Sequence, residues 1–247
     1  MLETRDLTIR FGGHLAVDRV SCAFQPGTLT AIVGPNGAGK TTYFNLISGQ
    51  LPASGGQVLL DGEDLSGLAA PQRTRKGLGR AFQLTQLFPH LTVLENLRLA
   101  VQARAGLGLR LFSVWLQHRE LIDEAFVLLE RVRLSARAND LAASLPHGDQ
   151  RKLEVALLMA LRPKVYLFDE PTAGMSVDEV PVVLDLIREL KREGRHTILL
   201  VEHKMDVVRE LADRIVVLHQ GCLVADGEPS AVIASAVVQS AYLGVAA

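Results

Sequence analysis

Along the 247 residues, the spacing of apolar positions changes character twice. Residues 2 to 33 hold short β-type runs. LTIRF and VSCAF are rich in strand-forming residues, PGT is a turn, and LTAIV is a continuous apolar run suited to a buried strand. GPNGAGK follows directly, and TTYFNLISG continues as a predicted helix closed by Gly49. SGGQVLLDGEDL then reads as a turn, a strand and a further turn. From about Leu84 to Leu161 the apolar residues fall at spacings of three and four. This predicts helices over TVLENLRLAVQARA, LQHRELIDEAFVLLERVRL and DQRKLEVALLMAL. The interruption AGLGLRLFSVW reads as a glycine-containing loop with an apolar tip. Strand texture returns in KVYLFDE and HTILLVE, with a helix at VDEVPVVLDLIRELKREG between them, and continues in DRIVVLHQ and CLVADG. Strand, helix, strand in that order predicts a parallel sheet with right-handed crossovers. The expected plan is an α/β core, split in sequence by a helical insert at roughly 85 to 160.

Composition narrows the picture. Lys plus Arg number 26 and Asp plus Glu 27, a balance that argues against nucleic acid as the main partner. No apolar run approaches the roughly 18 residues of a spanning helix. The start MLETRDLTIR lacks an apolar signal core, so a soluble chain is expected. Cys22 and Cys222 show no metal-ligand spacing and read as small hydrophobes in a reducing cytosol. Hydrophobic residues still reach 48%, enough for a docking surface as well as a core.

The chemistry concentrates at strand ends. GPNGAGKT, Gly34 to Thr41, matches G-x-x-x-x-G-K-[ST] between a predicted buried strand and a helix, the context a phosphate loop needs. Backbone N–H groups of Gly34, Pro35, Asn36, Gly37, Ala38 and Gly39, as far as each has one, and of the following residues to Thr42 close around phosphate oxygens. Lys40 is expected to bridge the β- and γ-phosphates, and the Thr41 hydroxyl to hold Mg²⁺. VYLFDE ends an apolar strand in two carboxylates. Asp169 suits the Mg²⁺ shell, and Glu170 suits a general base for an attacking water. Such endings are often only solvated, and the phosphate loop is what gives this one weight. TILLV ends in Glu202 and His203. One strand-helix-strand unit after Glu170, His203 is placed to reach the γ-phosphate from the same sheet edge, although a solvated loop histidine has the same appearance.

These motifs, in this order over nearly the whole chain, resemble the ATP-binding cassette ATPases. The resemblance implies a RecA-like P-loop core with a parallel sheet, an N-terminal antiparallel β subdomain and an inserted α-helical subdomain. Residues 1–84 and 161–247 would form the nucleotide-binding core and 85–160 the helical signature subdomain. It also implies ATP and Mg²⁺ as ligands, with Phe11 stacking on adenine and Val17 flanking the base. Gln83, with Gln86 a poorer fit, would sense Mg²⁺ and couple to a membrane partner. The family's signature loop aligns with Leu145, Pro146, His147, Gly148 and Asp149, and caps the γ-phosphate held by a second cassette. Here Pro146 stands in place of Ser, and Asp149 in place of Gln. Proline is welcome in a first helical turn, Gly148 permits close approach, and the N–H groups of His147, Gly148 and Asp149 suit an anion. AGMS, Ala173 to Ser176, resembles the loop linking two ATP sites, with Ser176 where Asp is usual.

Within the family, FGGHLAV, AGLGLRLFSVW, LPHG with LEVA, DEPTAGM and the terminal AYLG are most similar to cytoplasmic subunits of importers for branched-chain and other hydrophobic amino acids, or urea-type solutes. That similarity implies transmembrane permease partners, an identical or paralogous second cassette, indirectly a solute-binding protein, and a place on the inner face of the cell membrane. The ATPase of lipopolysaccharide export shares several of these features. A soluble non-transport cassette and a regulatory scaffold are the readings of other classes.

Overall fold

A computed structural model describes residues 1–81, 87–106, 119–235 and 238. They form two compact units. The first comprises Met1–Arg80, Lys164–Glu170 and Lys191 onward; the second comprises Ala81–Pro163 and Pro171–Leu190.

In the first unit, β1 (Leu2–Phe11) and β2 (His14–Phe24) form an antiparallel hairpin, to which β4 (Gly55–Leu60) and the two-residue β5 (Glu63–Asp64) add in the order β2-β1-β4-β5. The predicted turn at GEDL is thus a tight hairpin. Asp61 and Gly62 both have positive φ, as a primed turn requires, and a short returning strand follows. The second sheet contains β3 (Leu29–Val33), β6 (Leu78–Ala81), β7 (Val165–Asp169), β8 (Thr197–Val201), β9 (Arg214–His219) and β10 (Cys222–Gly227), in the order β10-β9-β3-β8-β7-β6. β3 pairs in parallel with both β8 and β9, and β7 with β8, as the strand-helix-strand reading required. β3, β7 and β8 are buried at every position, which is why they read as continuous apolar runs and not as alternating ones.

Helix α1 (Lys40–Ser48) follows β3 and ends at Gly49, whose left-handed backbone was legible in sequence. Its fully buried Tyr43, Phe44 and Ile47 join residues of both sheets in one core with Phe24, Leu167 and Leu199. Helix α2 (Ala70–Lys76) and β6 had no expectation from sequence; both are short, and α2 is largely polar. Arg73 of α2 is buried and donates to the carbonyls of Leu46 and Ile47 at 2.7 and 2.8 Å, which adds to the Gly49 N–H bond that Leu46 O accepts at the end of α1.

The second unit contains α3 (Val93–Arg104), α4 (Arg119–Arg131), α5 (His147–Leu161) and the main part of α6 (Val180–Arg192). Thr92 and Glu95 form a reciprocal capping box at the start of α3. α6 begins later than its sequence pattern, because Ser176 and Glu179 first close a turn. α7 (Met205–Leu211) and α8 (Pro229–Ala234) belong to the first unit. Among the described residues, no helix is long and apolar enough to cross a membrane.

Candidate active site

The sheet order explains how residues far apart in sequence meet. β3, β8 and β7 are neighbours and parallel, so the loops leaving their C-terminal ends share one edge of the sheet. The phosphate-loop sequence leaves β3, Glu170 follows β7, and His203 lies just beyond β8. A cleft of about 390 Å³ opens there, lined by residues 36–42 together with Phe11, His14, Ala16, Glu170 and His203.

The loop is pinned from several sides. Ala38 N–H donates to Pro35 O, and the Ala38 carbonyl accepts from Gly221 N–H. Gly39 has φ of 97°, and a Cβ there would lie 2.4 Å from the Ala16 carbonyl oxygen, so only glycine fits where the loop turns into α1. Gly34 and Pro35 form the base of the loop, and their carbonyls accept from Lys40 Nζ at 2.7 and 3.0 Å. Burial holds the Lys40 ammonium below the ordinary lysine range, opposed by the negative charges of Glu170 and Asp169.

Glu170 has a φ of 50°, an uncommon left-handed backbone for a side chain of this size. Its N–H is fixed to Val201 O at 3.0 Å. Its Oε1 lies 2.8 Å from His203 Nε2. The buried Glu202 carboxylate in turn accepts from the N–H groups of His203 and Lys204, which anchors the histidine's backbone. Asp169 is buried, and desolvation raises its carboxyl above the usual aspartate range against the opposing pull of Arg80. Its Oδ2 accepts from Arg80 Nη2 at 2.7 Å, whereas its Oδ1 is buried without a partner. An orphaned carboxylate oxygen, with the Thr41 hydroxyl residue in the same unit, fits a Mg²⁺ ion whose remaining ligands come from phosphate and water. The described residues contain no cluster of three or more His, Cys, Asp or Glu that would cage a metal alone.

Phe11 is half exposed on the cleft wall, as a base-stacking residue must be. Val17 is a correction. It is fully buried, opposite Ile9 in the β1–β2 pair, and its side chain belongs to the core; Ala16, the preceding residue on the opposite face, lines the cleft instead. His14 also lines the cleft, and nothing in the sequence distinguished it from a solvated hairpin residue. Gln83 and Gln86 lie outside the described residues.

Residues 145–149 belong to the second unit. Pro146 is not in the first turn of α5 but is its N-cap, with φ of −54° and ψ of 154°, and its carbonyl accepts from Gln150 N–H. Proline's fixed φ suits this extended backbone, and helical geometry starts only at His147. Asp149 is not a bare charge at the helix start. It pairs with Lys152 at 2.9 Å and Arg137 at 3.2 Å. The close approach that Gly148 permits is made by the chain itself: a Cβ there would lie 2.1 Å from Glu179 Oε2. Glu179 is held by the Ser176 hydroxyl at 2.8 Å and the Ser176 N–H at 3.1 Å, so Ser176 serves the turn that leads into α6.

A phosphate loop behind β3, with Glu170 and His203 delivered by the neighbouring strands β7 and β8, defines a P-loop NTPase of the cassette type. The chain belongs to the ABC transporter family, whose model matches residues 17–173. It is 40% identical to the high-affinity branched-chain amino acid transport ATP-binding protein LivG of Escherichia coli K12, over 100% of this chain and 98% of that one. The fold matches the crystal structure of a nucleotide-free ATP-binding cassette from an ABC transporter with a TM-score of 0.83 and 28% identity, over 99% of both chains. It also matches the dimeric post-hydrolysis state of an ATP-binding cassette bound to ADP and Pi, with a TM-score of 0.80 and 25% identity, over 93% of this chain and 99% of that chain. The family and the fold class expected from the sequence are both borne out.

Proposed function

We propose that this chain is the ATP-hydrolysing subunit of a membrane importer, and that its cargo is branched-chain or other hydrophobic amino acids, or related urea-type solutes. The observation that carries the hydrolytic part is the 2.8 Å contact of Glu170 and His203 at the rim of the cleft that Lys40 and the phosphate loop floor. The amino-acid part is supported by the full-length similarity to LivG.

In this reading Phe11 stacks on the adenine, and residues 34–42 hold the phosphates through their N–H groups and Lys40. Thr41, Asp169 and Gln83 hold Mg²⁺, which when bound neutralises charge on the β- and γ-phosphates. Glu170 accepts a proton from water as its oxygen bonds to the γ-phosphorus and the bond to the ADP oxygen breaks. His203, beside Glu170, reaches toward the γ-phosphate. Residues 1–84 with 161–247 act as the nucleotide-binding core and 85–160 as the signature subdomain. Leu145 to Asp149 cap ATP in a second cassette, so ATP sits between two subunits and hydrolysis lets them part. The subunit works at the cytoplasmic face, docked on permeases that receive solute from a binding protein. Export of a lipopolysaccharide-type substrate is the runner-up.

Reconstitution with permeases of amino-acid importers tests the reading: ATPase activity should rise with a cognate permease and with a loaded amino-acid-binding protein. Unchanged activity with any permease would overturn it. A scaffold with little hydrolysis is excluded by turnover that disappears in Glu170→Gln.

A further inference from the structure

Arg80 has no role in any of the motifs above, yet it occupies the most enclosed ionic contact of the first unit's site. Its side chain is 5% exposed and that of its partner Asp169 is 0% exposed. Nη2 donates to Asp169 Oδ2 at 2.7 Å, while Nη1 donates to Asn45 Oδ1 at 2.7 Å and to Ser48 Oγ at 2.8 Å. The guanidinium carbon stands 5.7 Å from the centre of the Phe44 ring. Asn45, Ser48 and Phe44 all lie on α1, the helix that begins at the phosphate loop.

A guanidinium normally grips both oxygens of a carboxylate through a two-pronged contact. Here Nη1 is turned to α1, and among the described contacts Arg80 meets Asp169 through Nη2 alone. One carboxylate oxygen is consumed, and the other, Oδ1, is left buried and unpartnered. An isolated buried oxygen of this kind is costly unless a ligand uses it. We infer that Arg80 is a positioning residue for the metal-binding carboxylate: it ties Asp169 to α1 through Oδ2 and reserves Oδ1 for the Mg²⁺ shell. A lysine in this place keeps the charge but cannot serve Asp169, Asn45 and Ser48 from one plane. The inference rests on the Mg²⁺–nucleotide reading of the cleft.

The test measures metal linkage in the full chain without hydrolysis. Fluorescent ADP is titrated in EDTA, and then with Mg²⁺ to find the half-saturating metal concentration. In the wild type, Mg²⁺ tightens ADP binding; if it does not, the Mg²⁺–nucleotide reading itself falls. Arg80→Lys should leave the affinity in EDTA within about twofold, while the Mg²⁺ requirement rises by roughly 10–100-fold, the usual effect of losing a partner behind a metal ligand. An unchanged Mg²⁺ requirement in Arg80→Lys, or a loss in EDTA equal to the loss in Mg²⁺, overturns the inference. Where Arg80→Lys does not fold, Asn45→Ala with Ser48→Ala leaves the ion pair in place and frees Nη1 to grip both oxygens. That variant should also need more Mg²⁺, and an unchanged requirement in the folded double variant overturns the inference as well.

Discussion

Glu170 Oε1 and His203 Nε2 lie 2.8 Å apart although 33 residues separate them in sequence. The contact exists because β7 and β8 are parallel neighbours in register, Asp169 facing Val201, so the next residues of each strand emerge side by side. Glu170 then turns out of the strand line through its left-handed backbone. Glu170→Gln preserves shape and removes the base. Turnover should fall by roughly 10²–10⁴-fold with nucleotide affinity retained. On ATP addition this variant should accumulate as a dimer in light scattering, and wild-type turnover in Glu170→Gln would sink the assignment. His203→Ala should lower turnover while leaving ADP affinity in place.

Pro146 at the N-cap of α5 supplies no side-chain acceptor. Pro146→Ser adds one, a gain of about 1 kcal/mol, offset by the greater freedom of the unfolded chain, about 0.4–1 kcal/mol. Stability should therefore change little. Nucleotide binding by the monomer should stay the same, because residues 34–42 are in the other unit. ATP-driven dimerisation or turnover should change, and equal values in both proteins would mean that the proline carries no mechanistic weight.

Gly148 and Glu179 share a space that holds only one of them with a side chain. In Gly148→Ala the new methyl displaces the Glu179 carboxylate, which then loses Ser176. A destabilisation of about 1–2 kcal/mol is expected, the range for a lost cap. Glu179→Ala should cost a similar amount alone, and the double variant should cost clearly less than the sum. Additive melting shifts would show that the two residues do not interact.

Acid should loosen the helical unit through Glu124. Its carboxylate accepts two bonds of 2.6 Å from Arg104 and one of 2.7 Å from Arg162. The Arg104 hydrogen bonds hold it below the usual glutamate range. A folded-state pKa below the unfolded one means that the contribution is complete above the ordinary glutamate range and disappears as pH falls through and beneath it. Urea midpoints should therefore separate wild type from Glu124→Gln at neutral pH and converge in acid. A constant gap down to strong acid would contradict this.

β3, β7 and β8 were legible because a strand buried on both faces is apolar at nearly every position, and LTAIV, VYLF and TILLV fit that with only Thr30, Tyr166 and Thr197 as hydroxyl-bearing members. The phosphate loop was legible for a local reason too: backbone N–H groups can converge on an anion only where glycines remove the side chains. Short or polar elements escaped. α2 has too few turns to display a periodicity, and β6 is too short to differ from a loop until β7 lies beside it. Val17 shows the limit at residue level. It lies between the runs LTIRF and VSCAF, and which face of β2 turns to the core there depends on register, where a shift of one residue exchanges Val17 for Ala16.

By itself, then, the sequence determined the elements that carry local physical signatures: buried strands, the glycine loop, the carboxylates and histidine at strand ends, and the helical texture between them. Only the tertiary structure decided which of those ends meet. Strand order places Glu170 against His203, and the packing of α1 against the sheet gives the unremarked Arg80 its hold on Asp169. It also shows Ser176 and Glu179 built into the start of α6, where the sequence offered only a missing aspartate. The physical reason is range. Propensity and periodicity act over a few residues, whereas a carboxylate's charge, partner and direction are set by neighbours that arrive from far along the chain.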